Sequence, residues 1–232
     1  MTALSSVFDT VEAAYTVALF LWVLAVSHVF TRKLYGWMRS RGVEHHVAVY
    51  YNRKVIHILA GGVVAVLAPF LLKNYFYIAA LVAVLAVGNY IPHRRKKLLY
   101  WYQVEENMYE VNFIIMWGLM MGLGYYLNNI ALGVLPILFM SVGDGVTGLV
   151  RNALYGRRTK SWWGNFAMAV FCIPVGYLLY GVAGAVAGGL ASVVEKFEFG
   201  VIDDNITVPL VSFLTVFSLS SFITSPDTLL FF

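Results

Sequence analysis

The chain has 232 residues, of which 60% are hydrophobic and only 12% charged, with a formal net charge of +4. It holds repeated apolar runs of roughly 18–22 residues, the length that crosses a bilayer, so the composition excludes an ordinary water-soluble globule. The basic excess gives no reason to invoke nucleic acid, and the single cysteine, Cys172, excludes an intramolecular disulfide or a thiolate metal site.

Hydropathy predicts eight spans in chain order: 13–31, 55–72, 75–92, 108–127, 130–150, 163–180, 182–197 and 206–223. The expected fold is all-α, a polytopic membrane bundle of about eight transmembrane helices. It forms one integral membrane domain over residues 1–232, with short extracytoplasmic N- and C-terminal ends. The first span follows Asp9 and Glu12 rather than a basic segment, and it is too long for the apolar core of a cleaved leader. Spans six and seven are joined only by a turn near Gly181. No soluble domain, long linker, low-complexity tract or repeat interrupts the pattern. Fifteen of the sixteen Lys and Arg residues fall in the loops 32–54, 93–107 and 151–162 or at the end of span seven, all on one side; Lys73 is the exception. The positive-inside rule makes that side cytoplasmic and places both termini outside. A basic face of this kind also attracts anionic lipid heads.

Four polar clusters fall on that same face. The first, at the entry to span two, is Asn52-Arg53-Lys54-Val55-Ile56-His57. Arg53 and His57 are four apart on a helix with Lys54 beside them, an arrangement that suits an anionic ligand or, more plainly, a basic interface anchor. The second is Gly143-Asp144-Gly145 with Gly148 one turn on. The glycines permit close approach of another helix or of a phosphate, whereas an ionisable Asp144 in an apolar run is costly and points to function.

The third cluster is the loop that carries Arg151, Gly156, Arg157, Arg158, Lys160, Ser161 and Gly164. A glycine-containing turn with Lys160 and the Ser161 hydroxyl could form an anion-binding nest, although the spacing is not that of a Walker A loop. Trp162 and Trp163 read as interfacial belt residues. The fourth is Glu195 with Asp203-Asp204-Asn205, leading to Pro209. Three carboxylates and an amide make an oxygen-ligand set for Mg²⁺; helix capping accounts for only one of them. Glu110, at the start of span four, is a further candidate. His28, His45, His46 and His93 lack metal-ligand spacing, and no GxSxG or GxGxxG motif suggests other chemistry.

Taken in order, RKxxH (Arg53 to His57), the GD-led glycine-rich helix (Asp144, Gly148), KSWxG (Lys160 to Gly164) and E…DNxxxP (Glu195, Asp204, Asn205, Pro209) resemble the CTP-dependent polyprenol kinases, which include dolichol kinase and the phytol kinases. The resemblance covers roughly residues 50–215, and the stretch 74–140 contributes mainly hydropathy. Asn165 stands where that family commonly has a serine. The resemblance implies CTP as phosphate donor and a long-chain isoprenoid alcohol as acceptor, and the carboxylate set points to Mg²⁺ as cofactor. On this reading Asp144 and Asp204, with Glu195, hold one or two Mg²⁺ ions. Lys160, Arg157 and Arg53, with Lys54 more weakly, add positive charge, and Asp203 orients and deprotonates the alcohol. His57, Gly143, Gly148, Gly156, Ser161, Gly164 and Asn205 complete the expected nucleotide site.

Two alternatives remain open at this point. A lipid-phosphate cytidylyltransferase of the same superfamily shares nucleotide and metal, but the glycine-histidine run expected near its C terminus is absent here. An ion-coupled transporter could use Asp144 and Glu110, but its site is expected near the membrane midplane between repeats. The partners expected are CTP, the alcohol and the bilayer. The Gly-rich segment 181–190 could pack tightly within one chain or between copies.

Overall fold

The computed structural model describes residues 9–157, 159–197 and 202–220. Arg158 and the last residues of the eighth expected span lie outside the described residues. The regular structure of the described residues is helical, in seven rods: α1 (Thr10–Ser40), α2 (His45–Leu71), α3 (Tyr75–Arg94), α4 (Tyr109–Tyr126), α5 (Ile130–Tyr155), α6 (Trp162–Val194) and α7 (Asp204–Ser220). Five of these, α1, α2, α3, α5 and α6, are long and apolar enough to cross a membrane; α7 is a shorter apolar helix.

Two of the eight expected spans correspond to α4 and the shorter α7, and the third difference has a local cause. At Tyr180 (φ −142°, ψ 25°) and Gly181 (φ 54°, ψ −139°) the backbone of α6 leaves helical geometry. Its two arms fold back on each other so closely that a Cβ on Gly176 would lie 2.1 Å from the Gly184 carbonyl oxygen, and one on Gly188 would lie 2.5 Å from that of Cys172. Glycine alone permits this approach, and only glycine takes the positive φ of the turn at no cost. The Gly-rich stretch therefore packs within one chain. Counting its arms separately, with α4 and α7 added, recovers eight helical segments.

Capping fixes one end of the bundle. Asp9, Asn74 and Asn129 each accept a hydrogen bond from a backbone N–H in the first turn of α1, α3 and α5. Glu12 accepts from the backbone amides of Lys73 and Asn74, both at 3.0 Å. Tyr125 donates to the Leu72 carbonyl, and Tyr180 bonds the Asn129 side chain. The connections at 72–74, 127–129 and 180–181 are thus tied together at this end. At the other end Trp101 donates to the Ser27 carbonyl, and Asn52 donates to the carbonyls of Thr31 and Trp101.

The middle of the bundle is α5, whose most apolar window is 78% buried, against 11% for α3 and 22% for α6. Phe139 and Met140 of α5 share the buried core with Met120 of α4, Met168 of α6 and Val208 of α7. The outer helices instead expose apolar stripes such as Phe166, Val170, Tyr177 and Leu178 on α6. An apolar outer face of that extent suits lipid rather than water. Three boundaries differ from the hydropathy reading, the first being α1, which runs on to Ser40, nine residues past the expected span. Helix α2 begins at His45, ten residues before the expected span, because Ala48, Val49 and Tyr50 bury against the fold although their neighbours are polar. Arg151, expected in a loop, belongs to the last turns of α5.

Candidate functional site

The site is assembled where α2, α5, α6 and α7 meet. Three helices contain a π-helical stretch: Ala25–Phe30 in α1, His57–Gly62 in α2 and Phe139–Gly143 in α5. A π-turn adds a residue to the local repeat and re-aims the side chains that follow it. The stretches in α2 and α5 pack against each other, with His57 opening one and Asp144 directly after the other.

Asp144 is 2% exposed and fully engaged. Lys54 Nζ lies 2.6 Å from both of its carboxylate oxygens, and His57 Nδ1 lies 3.0 Å from Oδ2. The His57 ring stacks on Phe113 at 4.2 Å between centroids. Gly148 makes the Lys54 geometry possible, because a Cβ there would meet the lysine's Cε at 2.4 Å. The first cluster is therefore buried within α2 rather than displayed at a helix entry, and a glycine of the second cluster forms the trough for its lysine.

A second set of contacts ties α5 to the α6 hairpin. Arg151 donates from both terminal nitrogens to the two oxygens of Glu195, each at 2.7 Å, while both residues are 1% exposed. Asn165 Oδ1 accepts from Arg151 at 2.8 Å, and its Nδ2 donates to the Ser192 carbonyl and to Glu195. This bidentate fork joins one end of both hairpin arms to α5. Lys160 then bridges outward: its Nζ reaches Glu195 Oε1 at 3.1 Å and Asp204 Oδ2 at 3.2 Å.

Asp203 completes the floor. Its Oδ2 accepts from Asn112 Nδ2 at 3.1 Å, while Oδ1 is buried without a hydrogen-bond partner. Burial, reinforced by the Asp204 charge, pushes the Asp203 carboxyl up to about 6. Arg53 lies 4.0 Å over the Tyr109 ring, and Asn205 Nδ2 approaches the Tyr109 carbonyl. The hydroxyls of Thr159 and Ser161 and Asn205 Oδ1 are likewise buried without partners. Orphaned polar atoms gathered on the lysine loop and the acidic turn are groups that a polar ligand would satisfy.

Asp144, Glu195 and Asp204 each offer an oxygen within 4.8 Å of the others. An all-oxygen set of this size fits a hard divalent cation. Lys54 and His57 already hold Asp144, Arg151 holds both oxygens of Glu195, and Lys160 reaches Asp204, so a cation here would share all three carboxylates with these cationic partners. Four carboxylates (144, 195, 203, 204) stand with four fixed cations (53, 54, 151, 160), so the cluster balances its own charge.

An apolar cavity of about 230 Å³ opens beside this cluster, between α1, α2, α3 and α4, with Arg53 and His57 in its lining. Glu110 also lines it, paired to His93 at 2.5 Å with Oε2 unpartnered. Glu110 thus faces the cavity and is not one of the three converging carboxylates.

Several expected residues take other places. Gly143 and Gly164 pack under Cys172 and Arg151, each too close for a Cβ, and Gly156 ends α5 in the left-handed conformation (φ 61°). These glycines, like Gly148, serve close packing and chain reversal. Arg157 is exposed beyond the helix end. Hydropathy missed Arg151, Asn112 and Asn165 as partners of the acidic residues. The signal available for Arg151 was its position three and seven residues after Gly148 and Asp144, which keeps it near their face of α5. In comparisons with family models, curated proteins and solved structures, nothing matches this chain.

Proposed function

We propose that the protein is a membrane-embedded lipid kinase, which transfers the terminal phosphoryl group of CTP to an isoprenoid alcohol at the cytoplasmic end of an eight-span bundle. The observation that supports it most directly is the convergence of Asp144, Glu195 and Asp204 within 4.8 Å, beside an apolar cavity that Arg53 and His57 line. A water-borne anion and a lipid-borne alcohol can meet only where such surfaces adjoin. The choice of CTP rests on the motif resemblance.

Asp144 and Asp204, with Glu195 behind them, would hold Mg²⁺, which screens the phosphate charge and orients the terminal phosphate. A charge-balanced cluster favours a triphosphate that arrives with its own divalent cations. Lys160, 28% exposed at its side chain, is the lysine best placed to turn from Asp204 toward a phosphate oxygen. Thr159 and Ser161 supply unengaged hydroxyls beside it. The alcohol oxygen attacks the γ-phosphorus in line, the bond to the β–γ bridging oxygen breaks, and CDP leaves with the electron pair. Asp203 Oδ1 accepts the hydroxyl proton.

The test is incubation of purified protein with CTP labelled at the γ-phosphate, Mg²⁺, and geranylgeraniol or dolichol. Label should appear in the lipid monophosphate and should vanish with EDTA. Lipid labelling only from α-labelled CTP, onto a lipid phosphate, would instead establish a cytidylyltransferase.

A further inference from the structure

The cavity beside the cluster has a closed end, and its length sets a limit on what can occupy it. On α2 the lining runs from Arg53 and His57 to Ala68 and Leu72; on α1 it runs from His28 to Leu19, and on α3 from Asn89 to Ile78. All three helices therefore describe one slot that starts at the charged cluster and ends near the opposite, capped end of the bundle. The far wall is sealed: Leu19, Ala68, Leu72 and Ile78 are 5%, 1%, 1% and 2% exposed. Midway along the α3 lining, Val84 borders the slot and is 57% exposed, so the slot reaches the lipid-facing surface there.

At 1.5 Å per helical residue the lining spans about 14 Å on α1, about 17 Å on α3 and about 23–28 Å on α2, room for an extended main chain of roughly eleven to twenty-two carbons. Its charged and titratable groups lie at the mouth, with Arg53, His57, His28 and the unpartnered Glu110 Oε2, and the Trp117 indole N–H deeper in is satisfied by the Gly61 carbonyl. A ligand that fits has one polar head and a short unbranched or methyl-branched tail.

We infer that this slot holds the tail of the acceptor and selects alcohols of about three to five isoprene units over long polyprenols. The inference rests on the kinase reading for the word acceptor, but the slot and its length do not depend on it. The tail enters from the lipid-facing surface at Val84, its hydroxyl comes to rest beside Arg53 and His57, and its end stops against Ala68, Leu72 and Ile78.

The experiment uses the full chain in detergent, with farnesol, geranylgeraniol, phytol and a C55 polyprenol. Wild type should show kcat/KM at least tenfold higher for the C15 and C20 alcohols than for C55. Ala68→Phe fills the far third of the slot and should shift preference from geranylgeraniol toward farnesol by tenfold or more. Ile78→Ala, which enlarges the same end, should shift it the opposite way and guards against a folding defect in the first variant. Equal rates from C15 to C55, unchanged in both variants, would overturn the slot while leaving the kinase reading intact. If no alcohol is phosphorylated, the kinase reading fails, and the slot is judged by crosslinking a diazirine-bearing geranylgeraniol. Adducts on α1, α2 and α3 that geranylgeraniol competes away and C55 polyprenol does not would support it. Adducts spread over the lipid face of α6, or equal competition by both, would sink it.

Discussion

Lys54 and Asp144, 90 residues apart in the chain, form an ion pair in which one ammonium contacts both carboxylate oxygens at 2.6 Å, with both side chains almost wholly buried. Such a pair yields little net stability when intact, because desolvation offsets the attraction, but it is severe to break. The residue expected to hold a metal is therefore also a structural partner. That changes what a substitution there will report.

Asp144→Asn should abolish phosphoryl transfer and also lower stability by about 3–5 kcal/mol, because Lys54 is left buried without its counter-charge. Combining Lys54→Met with Asp144→Leu should recover most of that stability and none of the activity. Thermal unfolding in detergent, paired with the labelled-CTP assay, completes the cycle. Wild-type stability in the single variant would show that the ion pair is not formed.

The Arg151–Glu195 fork makes a different demand. Arg151→Lys keeps the charge but loses the planar double hydrogen bond and the contact to Asn165 Oδ1. A loss of about 2–4 kcal/mol is expected, since the buried Glu195 oxygens and Asn165 are left partly unsatisfied. Lys160→Met, at a partly exposed position, should cost less stability than Arg151→Lys and instead lower kcat/KM. Urea titration of both variants in mild detergent separates the two roles; equal destabilisation would remove the distinction.

Much of this architecture was legible in the residues. The apolar runs marked the helical segments, including the fold-back at Gly181, and all four polar clusters meet at the same end of the bundle. Asp144 stood out because a charge in an apolar run demands a partner. The identity of that partner was not legible: Lys54 reads as an interface anchor until α2 is seen to start at His45 and bury it. Arg151 was hidden for the reverse reason, because hydropathy assigns an arginine after an apolar run to a loop, whereas Glu195 and Asn165 hold it inside. The slot is a property of shape and has no local signature.

Asp203 provides a pH test in the metal-free protein. Its folded carboxyl is raised to about 6, above the ordinary aspartate value, so the folded state binds more protons than the unfolded state between about pH 4 and pH 6. The contribution of this group to stability is present at low pH and is lost as pH rises through that window. In EDTA, Asp203→Asn should flatten the decline and melt higher than wild type at pH 7. A wild-type stability that rises through the same window by an amount the variant abolishes would contradict the assignment.

The hairpin of α6 positions Asn165 and Glu195 from its two arms, so its closeness should matter to the site 20 Å or so away by the rise of the helix. Gly184→Ala would place a Cβ 2.0 Å from the Gly176 carbonyl oxygen, a contact that backbone cannot relieve without parting the arms. The expected result is a fall in melting temperature together with loss of transfer activity, because Asn165 then no longer reaches both Ser192 and Glu195. Ala substitution at Gly189, which has open space around its Cβ position, serves as the control and should leave both properties close to wild type. Cysteines placed at 165 and 192 should crosslink readily in wild type and poorly in Gly184→Ala; equal crosslinking would show that the arms stay closed and the activity loss arises elsewhere.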